Sequence, residues 1–129
     1  MQRAQRKRIL VAEDNEDMTL ILRQGLEFLG YEVWAARDGL EAVEMAASQL
    51  PDLIIMDIRM PKTDGLQAVS RIRKNPLTQA IPILAVTANA MPGDKEKYLA
   101  CGFDAYIAKP FKYMELEAVI ETLLERSRQ

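Results

Sequence analysis

The sequence predicts an open α/β sheet: five parallel strands in the order 2-1-3-4-5, with helices on both faces. Short apolar runs alternate with helix-length amphipathic stretches five times along the chain. Most of the runs are continuously apolar rather than alternating, as strands covered on both faces require. Several of them end in a charged or hydroxyl residue, which a parallel sheet collects along one edge.

Ile9-Leu10-Val11-Ala12 is the first strand. Met18, Leu22, Gly25, Leu26 and Leu29 then fall on one helical face, and Gly30 supplies a stop. Val33-Trp34-Ala35-Ala36 is the second strand. Asp38 is placed to cap a second helix with the stripe Leu40, Val43, Ala46 and Ala47. Leu53-Ile54-Ile55-Met56 is the third strand, and Leu66, Val69 and Ile72 mark the helix after it. Ile83-Leu84-Ala85-Val86 is the fourth. The stretch from Pro92 to Ala100 is the weakest helix, with a charged middle of Asp94, Lys95, Glu96 and Lys97. Tyr106-Ile107-Ala108 is the fifth strand, and Leu116, Val119, Ile120 and Leu123 mark the last helix. Right-handed crossovers restrict the topology. Five strands favour the flavodoxin-like order, whose switch point lies between strands 1 and 3.

The 129 residues suit one domain, taken as 1–129 with residues 1–7 as a basic tail. Arg3, Arg6, Lys7 and Arg8 make that tail basic, and it reads as solvated chain. With the fifth helix running almost to Gln129, no effector domain is expected to follow. Seventeen basic residues against 19 acidic give a net charge of -2, which does not favour direct binding to nucleic acid. No secretory h-region and no bilayer-length apolar run is present, so no membrane association is expected. Cys101 is the only cysteine, which excludes an internal disulfide, fits a cytoplasmic location and reads as a packing residue. There is no histidine. That excludes Cys/His and Ser/His nucleophiles and any histidine-ligated zinc.

Run one ends in Glu13-Asp14, run three in Asp57, run four in Thr87 and run five in Lys109-Pro110. The switch point brings the ends of strands 1 and 3 together, crowding three carboxylates into one crevice. Unpaired, they would raise one another's pKa and oppose folding. A hard divalent cation such as Mg²⁺ relieves this, held by one or two carboxylates and completed by phosphate oxygens. Lys109 adds a mobile positive charge and Thr87 a hydroxyl donor. The combination suits covalent phosphoryl transfer onto a carboxylate, driven by positioning and charge neutralisation.

These residues resemble the receiver domains of two-component signalling, of the chemotaxis-type, single-domain response regulators. The resemblance rests on Ile9 to Asn15, on Leu53 to Pro61 followed by Asp64-Gly65, on Val86-Thr87-Ala88, and on Tyr106 to Phe111. It implies that Asp57 is the phosphoacceptor. Asp14 would bind the cation directly, Glu13 through water, and Arg59 through its backbone carbonyl. The cation would be Mg²⁺ or Mn²⁺. Thr87 and Lys109 would contact the phosphoryl group, with Tyr106 as the switch aromatic and Lys109-Pro110 as a cis peptide. Arg59 and Asn89 would modulate dephosphorylation. The acidic pair is Glu-Asp where the commonest pattern is Asp-Asp; the charge is kept.

The resemblance further implies a histidine kinase or a histidine phosphotransfer protein as donor, docking on Asn15, Met18, Ile21, Pro110 and Phe111, with Leu20 as a further candidate. Phosphorylation would draw in Thr87, let Tyr106 turn inward, and change the surface of helix 4, strand 5 and helix 5 for an unknown downstream protein. The same surface would serve a weak dimer if the chain is not monomeric. The chain would then be no enzyme beyond catalysing its own phosphorylation and dephosphorylation. The alternative is a small metal-dependent phosphatase with an aspartyl-phosphate intermediate. Arg59 stands where such hydrolases usually carry a second acid, and the chain has no room for a substrate-binding cap domain.

Overall fold

The computed structural model describes residues 6–60, 64–88 and 91–126. Its order is β1 (Arg8–Ala12), α1 (Glu16–Phe28), β2 (Glu32–Ala36), α2 (Gly39–Gln49), β3 (Leu53–Asp57), α3 (Gly65–Lys74), β4 (Ile83–Thr87), α4 (Asp94–Ala100), β5 (Ala105–Ala108) and α5 (Tyr113–Arg126). All strand pairs are parallel and the sheet order is β2-β1-β3-β4-β5, as the sequence pattern requires.

Period-two side-chain geometry divides the strands between two cores. Ile9, Val11, Ile55, Leu84 and Val86 pack with Leu22 and Leu26 of α1 and with Leu116, Ile120 and Leu123 of α5. Leu10, Ala12, Ile54, Met56, Ile83 and Ala85 face the other way, against Ala42 and Ala46 of α2, Val69 and Ile72 of α3, and Tyr98 of α4. β3 and β4 are buried at every position, which is why their runs show no alternation.

The helix starts are capped by side chains. Asn15, Asp38 and Asp64 accept from the amides of Met18, Glu41 and Gln67. α1 is capped at Leu29, and Gly30 follows at φ +100°, a conformation suited to glycine. The stripe expected for α2 holds at Ala46, which is buried, and at Val43, which packs against the core, but fails at Leu40. Gly39, Ala42 and Ala46 are the buried residues, while Leu40 is exposed. Small residues at Gly39 and Ala42 let the start of α2 lie close to the sheet, and the bulkier Leu40 turns to solvent. α4 is only seven residues long, starts at a left-handed Gly93 without a side-chain cap, and buries only Tyr98. Cys101, expected to pack, is exposed at the C-cap of that helix.

Arg73 fastens the amino edge of the sheet. Its guanidinium donates to the carbonyls of Gly102 (2.9 Å), Gln79 (2.9 Å) and Ile81 (2.6 Å) and to Asp104 Oδ2 (2.6 Å). The same Asp104 oxygen accepts from the Ile83 amide at 2.8 Å. One side chain therefore joins α3, the loop before β4 and the turn before β5. Among the described residues no helix is long and apolar enough to cross a membrane.

Candidate functional site

The strand register places the polar ends. Ala12 lies opposite Met56 on one side and Ala36 on the other, so Glu13 and Asp14 leave β1 beside Asp57, the last residue of β3. The Glu13 amide donates to the Ala36 carbonyl at 3.0 Å, holding the turn out of β1. Asp57 lies opposite Val86, and Thr87 opposite Ala108. The Lys109 amide donates to the Thr87 carbonyl at 2.8 Å, and the peptide after Lys109 is cis. The loop after β3 is tightened where the Gly65 amide donates to the Ile58 carbonyl at 2.9 Å. A Cβ on Gly65 would lie 2.7 Å from Ile58 Cα, so only glycine admits α3 this close.

One carboxylate oxygen from each of Glu13, Asp14 and Asp57 lies within 4.8 Å of the other two. Glu13 and Asp57 are buried, and Asp14 is exposed. Lys109 Nζ donates to Glu13 Oε1 at 3.0 Å and to Asp57 Oδ2 at 3.2 Å. Their second oxygens accept from backbone amides: Glu13 Oε2 from Asn15 (3.1 Å) and Asp57 Oδ1 from Arg59 (2.9 Å). Both carboxylates are thus fixed from two directions.

Burial pushes the Glu13 carboxyl above its ordinary pKa, and the Asp57 charge adds to this, against the Lys109 and Asn15 hydrogen bonds. Burial acts to lower the Lys109 ammonium, but the hydrogen bond to Glu13 and the charges of Asp57 and Glu13 outweigh it, and its pKa rises. Lys109 is therefore cationic at neutral pH. The donor set fits Mg²⁺: three carboxylates converge as hard oxygen donors, while histidine is absent and the one cysteine lies at the end of α4.

Thr87 is buried at the end of β4. Tyr106 is half-buried, with its hydroxyl oxygen buried and without a hydrogen-bond partner among the described residues. Its ring lies 5.6 Å from the ring of Tyr98. A groove of about 510 Å³ opens beside it, lined by Leu99 of α4 and by Val119 and Leu123 of α5. Asn89 lies outside the described residues, and Arg59 is exposed two residues past Asp57.

Of the residues assigned to docking, Met18, Ile21, Pro110 and Phe111 line one groove of about 460 Å³ that also reaches Lys109. Asn15 is the N-cap of α1 instead of part of that lining. Leu20 faces a separate groove with Arg23, Ala35 and Arg37. Tyr113, which the sequence did not mark, closes the docking groove. Its ring covers Gly25 and its hydroxyl donates to the Ile21 carbonyl. The missing side chain at Gly25 was the available signal, but its partner lies 88 residues away.

A doubly covered parallel sheet with three carboxylates, a lysine and a threonine on its carboxyl edge is suited to phosphoryl transfer onto a carboxylate. Residues 9–121 match the response regulator receiver domain, and the chain belongs to that family. It is 38% identical over 118 residues to the polar-differentiation response regulator DivK of Brucella anthropi, covering 92% of this chain and 96% of that protein. It is 40% identical over 121 residues to the alkaline phosphatase synthesis transcriptional regulatory protein PhoP of Bacillus subtilis. That match covers 94% of this chain but only 50% of PhoP, so the chain spans half of that relative. The receiver domain of the sensor histidine kinase PA1611 from Pseudomonas aeruginosa superposes with a TM-score of 0.87 at 39% identity, covering 94% of this chain and 99% of that one. In that structure a magnesium ion is coordinated in the active site cleft. The chain is thus a receiver domain of two-component, phosphorylation-dependent signalling, and these relatives lend the phosphatase alternative no support.

Proposed function

We propose that Asp57 is the phosphoacceptor of this receiver, and that the donor is the phosphohistidine of a histidine kinase or histidine phosphotransfer protein. Glu13, Asp14 and Asp57, with the Arg59 carbonyl, would hold Mg²⁺, or Mn²⁺ in its place. The bound ion supplies charge neutralisation at the reacting oxygens. The observation that carries the reading is the bridge from Lys109 to both Glu13 and Asp57, at 3.0 and 3.2 Å, inside the three-carboxylate cluster.

The Arg59 amide and Lys109 each hold one oxygen of Asp57, so its carboxylate is oriented before a donor arrives. The attacking oxygen forms the O–P bond as the N–P bond of the phosphohistidine breaks, and the imidazole leaves with the electron pair. Lys109 neutralises charge on the transferred group, and Thr87 closes on it from the end of β4. The apolar groove of Met18, Ile21, Pro110 and Phe111 seats the donor beside Lys109. Movement of Thr87 and Tyr106 then alters the surface of α4, β5 and α5 for a downstream protein, as a shift between existing states. The domain acts in the cytoplasm, as a monomer or a weak dimer through that surface. It catalyses only its own phosphorylation and dephosphorylation, with Arg59 and Asn89 modulating the second.

The test is incubation with acetyl phosphate, with Mg²⁺, with Mn²⁺ and with EDTA, followed by intact mass. One phosphoryl adduct is expected, dependent on the divalent cation, labile in base and absent in Asp57→Asn. An adduct of equal yield in Asp57→Asn would remove that residue from the role.

A further inference from the structure

Tyr98 is the only buried residue of α4. Its ring packs edge-on to Phe103 (6.2 Å between centroids, 78°) and at a shallow tilt on Tyr106 (5.6 Å, 31°). Lys97 Nζ lies 5.7 Å from the Tyr98 ring centroid. Tyr98 and Phe103 belong to the core on the α2, α3 and α4 side of the sheet, and Tyr106 packs against it. No side chain caps the start of α4, and its first turn carries Asp94 and Glu96. The helix therefore rests on the sheet through one aromatic ring, and the face of that ring is covered by the residue assigned to the switch.

We infer that Tyr98 is the positioning residue that transmits the state of Tyr106 to α4. This rests on the proposed switch role of Tyr106 and adds the contact that reads it. Tyr106 is free on one side to move, because the groove beside it opens toward Leu99 and Val119. Its hydroxyl gains no hydrogen bond among the described residues where it lies, so no polar contact there opposes departure. When the Tyr106 ring leaves, Tyr98 loses a stacked neighbour and α4 loses part of its single buried attachment. Aromatic pairs of this geometry contribute beyond their buried area, enough to change the docked-to-undocked ratio of a helix by about two- to tenfold.

The test measures hydrogen–deuterium exchange of the α4 amides in wild type, Tyr98→Leu, Tyr98→Phe, Tyr106→Leu and the double Leu variant. In unphosphorylated protein, each Leu variant is expected to speed α4 exchange by about two- to tenfold. The double variant should add little to either, and Tyr98→Phe should match wild type. Additive effects of the two Leu substitutions would overturn the coupling. With acetyl phosphate and Mg²⁺, wild type and Tyr98→Leu should carry the same adduct by mass. Only wild type and Tyr98→Phe should then show the accompanying change in α4 exchange. An equal change in Tyr98→Leu would overturn the inference. No adduct on any form would instead overturn the phosphorylation reading, while the unphosphorylated cycle still decides the coupling. If Tyr98→Leu fails to fold by circular dichroism, Tyr106→Leu against wild type decides: unchanged α4 exchange there overturns the coupling.

Discussion

Glu13 is 4% exposed, with Lys109 on one oxygen and the Asn15 amide on the other, yet burial still raises its pKa. Between the ordinary glutamate value of about 4.3 and that raised value, the native state holds more protons than the unfolded chain. Its contribution to stability is therefore present at low pH and lost as pH rises through the folded pKa. Glu13→Gln is expected to raise the melting temperature at neutral pH in EDTA, with the difference closing near pH 4, and to weaken Mg²⁺ binding. Thermal melts across that range, with and without Mg²⁺, check both signs; a less stable Glu13→Gln at pH 7 in EDTA would contradict the assignment. Lys109 has the same sign at the other end of the scale. Its contribution is intact below about pH 10.4 and fades as pH climbs through its raised folded value. The positions of Glu13, Asp14, Asp57, Thr87 and Lys109 were legible in the sequence because each ends a strand or follows one within two residues, and a parallel sheet aligns such ends. Tyr98 and Tyr113 were not, because what matters about them is a ring contact made by another element.

Elements were legible where burial is two-sided and hidden where it is one-sided or small. β3 and β4 announce themselves as unbroken apolar runs. α2 does not, because Ala42 and Ala46 form its buried face while the bulkier Leu40 faces solvent. α4 offers a charged middle and one aromatic, and Cys101, a lone cysteine expected to pack, ends the helix in solvent. The link from β3 to α3 carries the sharpest steric demand. Gly65→Ala brings a methyl to 2.7 Å from Ile58 Cα and 3.1 Å from the Asp57 carbonyl oxygen, both backbone atoms that cannot turn aside. The expected loss is about 1–3 kcal/mol in urea denaturation, as for other overpacked sites. Because the displaced backbone bears Asp57, the yield of phosphoryl adduct should fall as well. An unchanged midpoint would show that α3 can retreat without cost.

Across the whole molecule, the two edges of the sheet are built differently. Arg73 and Asp104 fasten the amino edge through five hydrogen bonds, whereas the carboxyl edge carries the carboxylate cluster and the helix with one buried residue. Stability of the whole chain should therefore respond to ligation at the carboxyl edge. Mg²⁺ at about 100 times its Kd is expected to add roughly 2.7 kcal/mol to unfolding free energy by mass action. Calorimetry of wild type and Asp14→Asn, titrated with MgCl₂, checks this: the melting temperature should climb in the first and stay flat in the second. A climb of equal size in both would move the cation elsewhere. The bridge made by Lys109 has a last consequence. Three carboxylates and one ammonium leave the cleft with a formal charge of minus two, so it carries a tethered counter-ion of its own. Sodium or potassium can cancel only half of that remainder, whereas a doubly charged ion cancels all of it. Discrimination against the abundant monovalent salts of a cell is then a matter of valence, set by a side chain that never has to touch the metal.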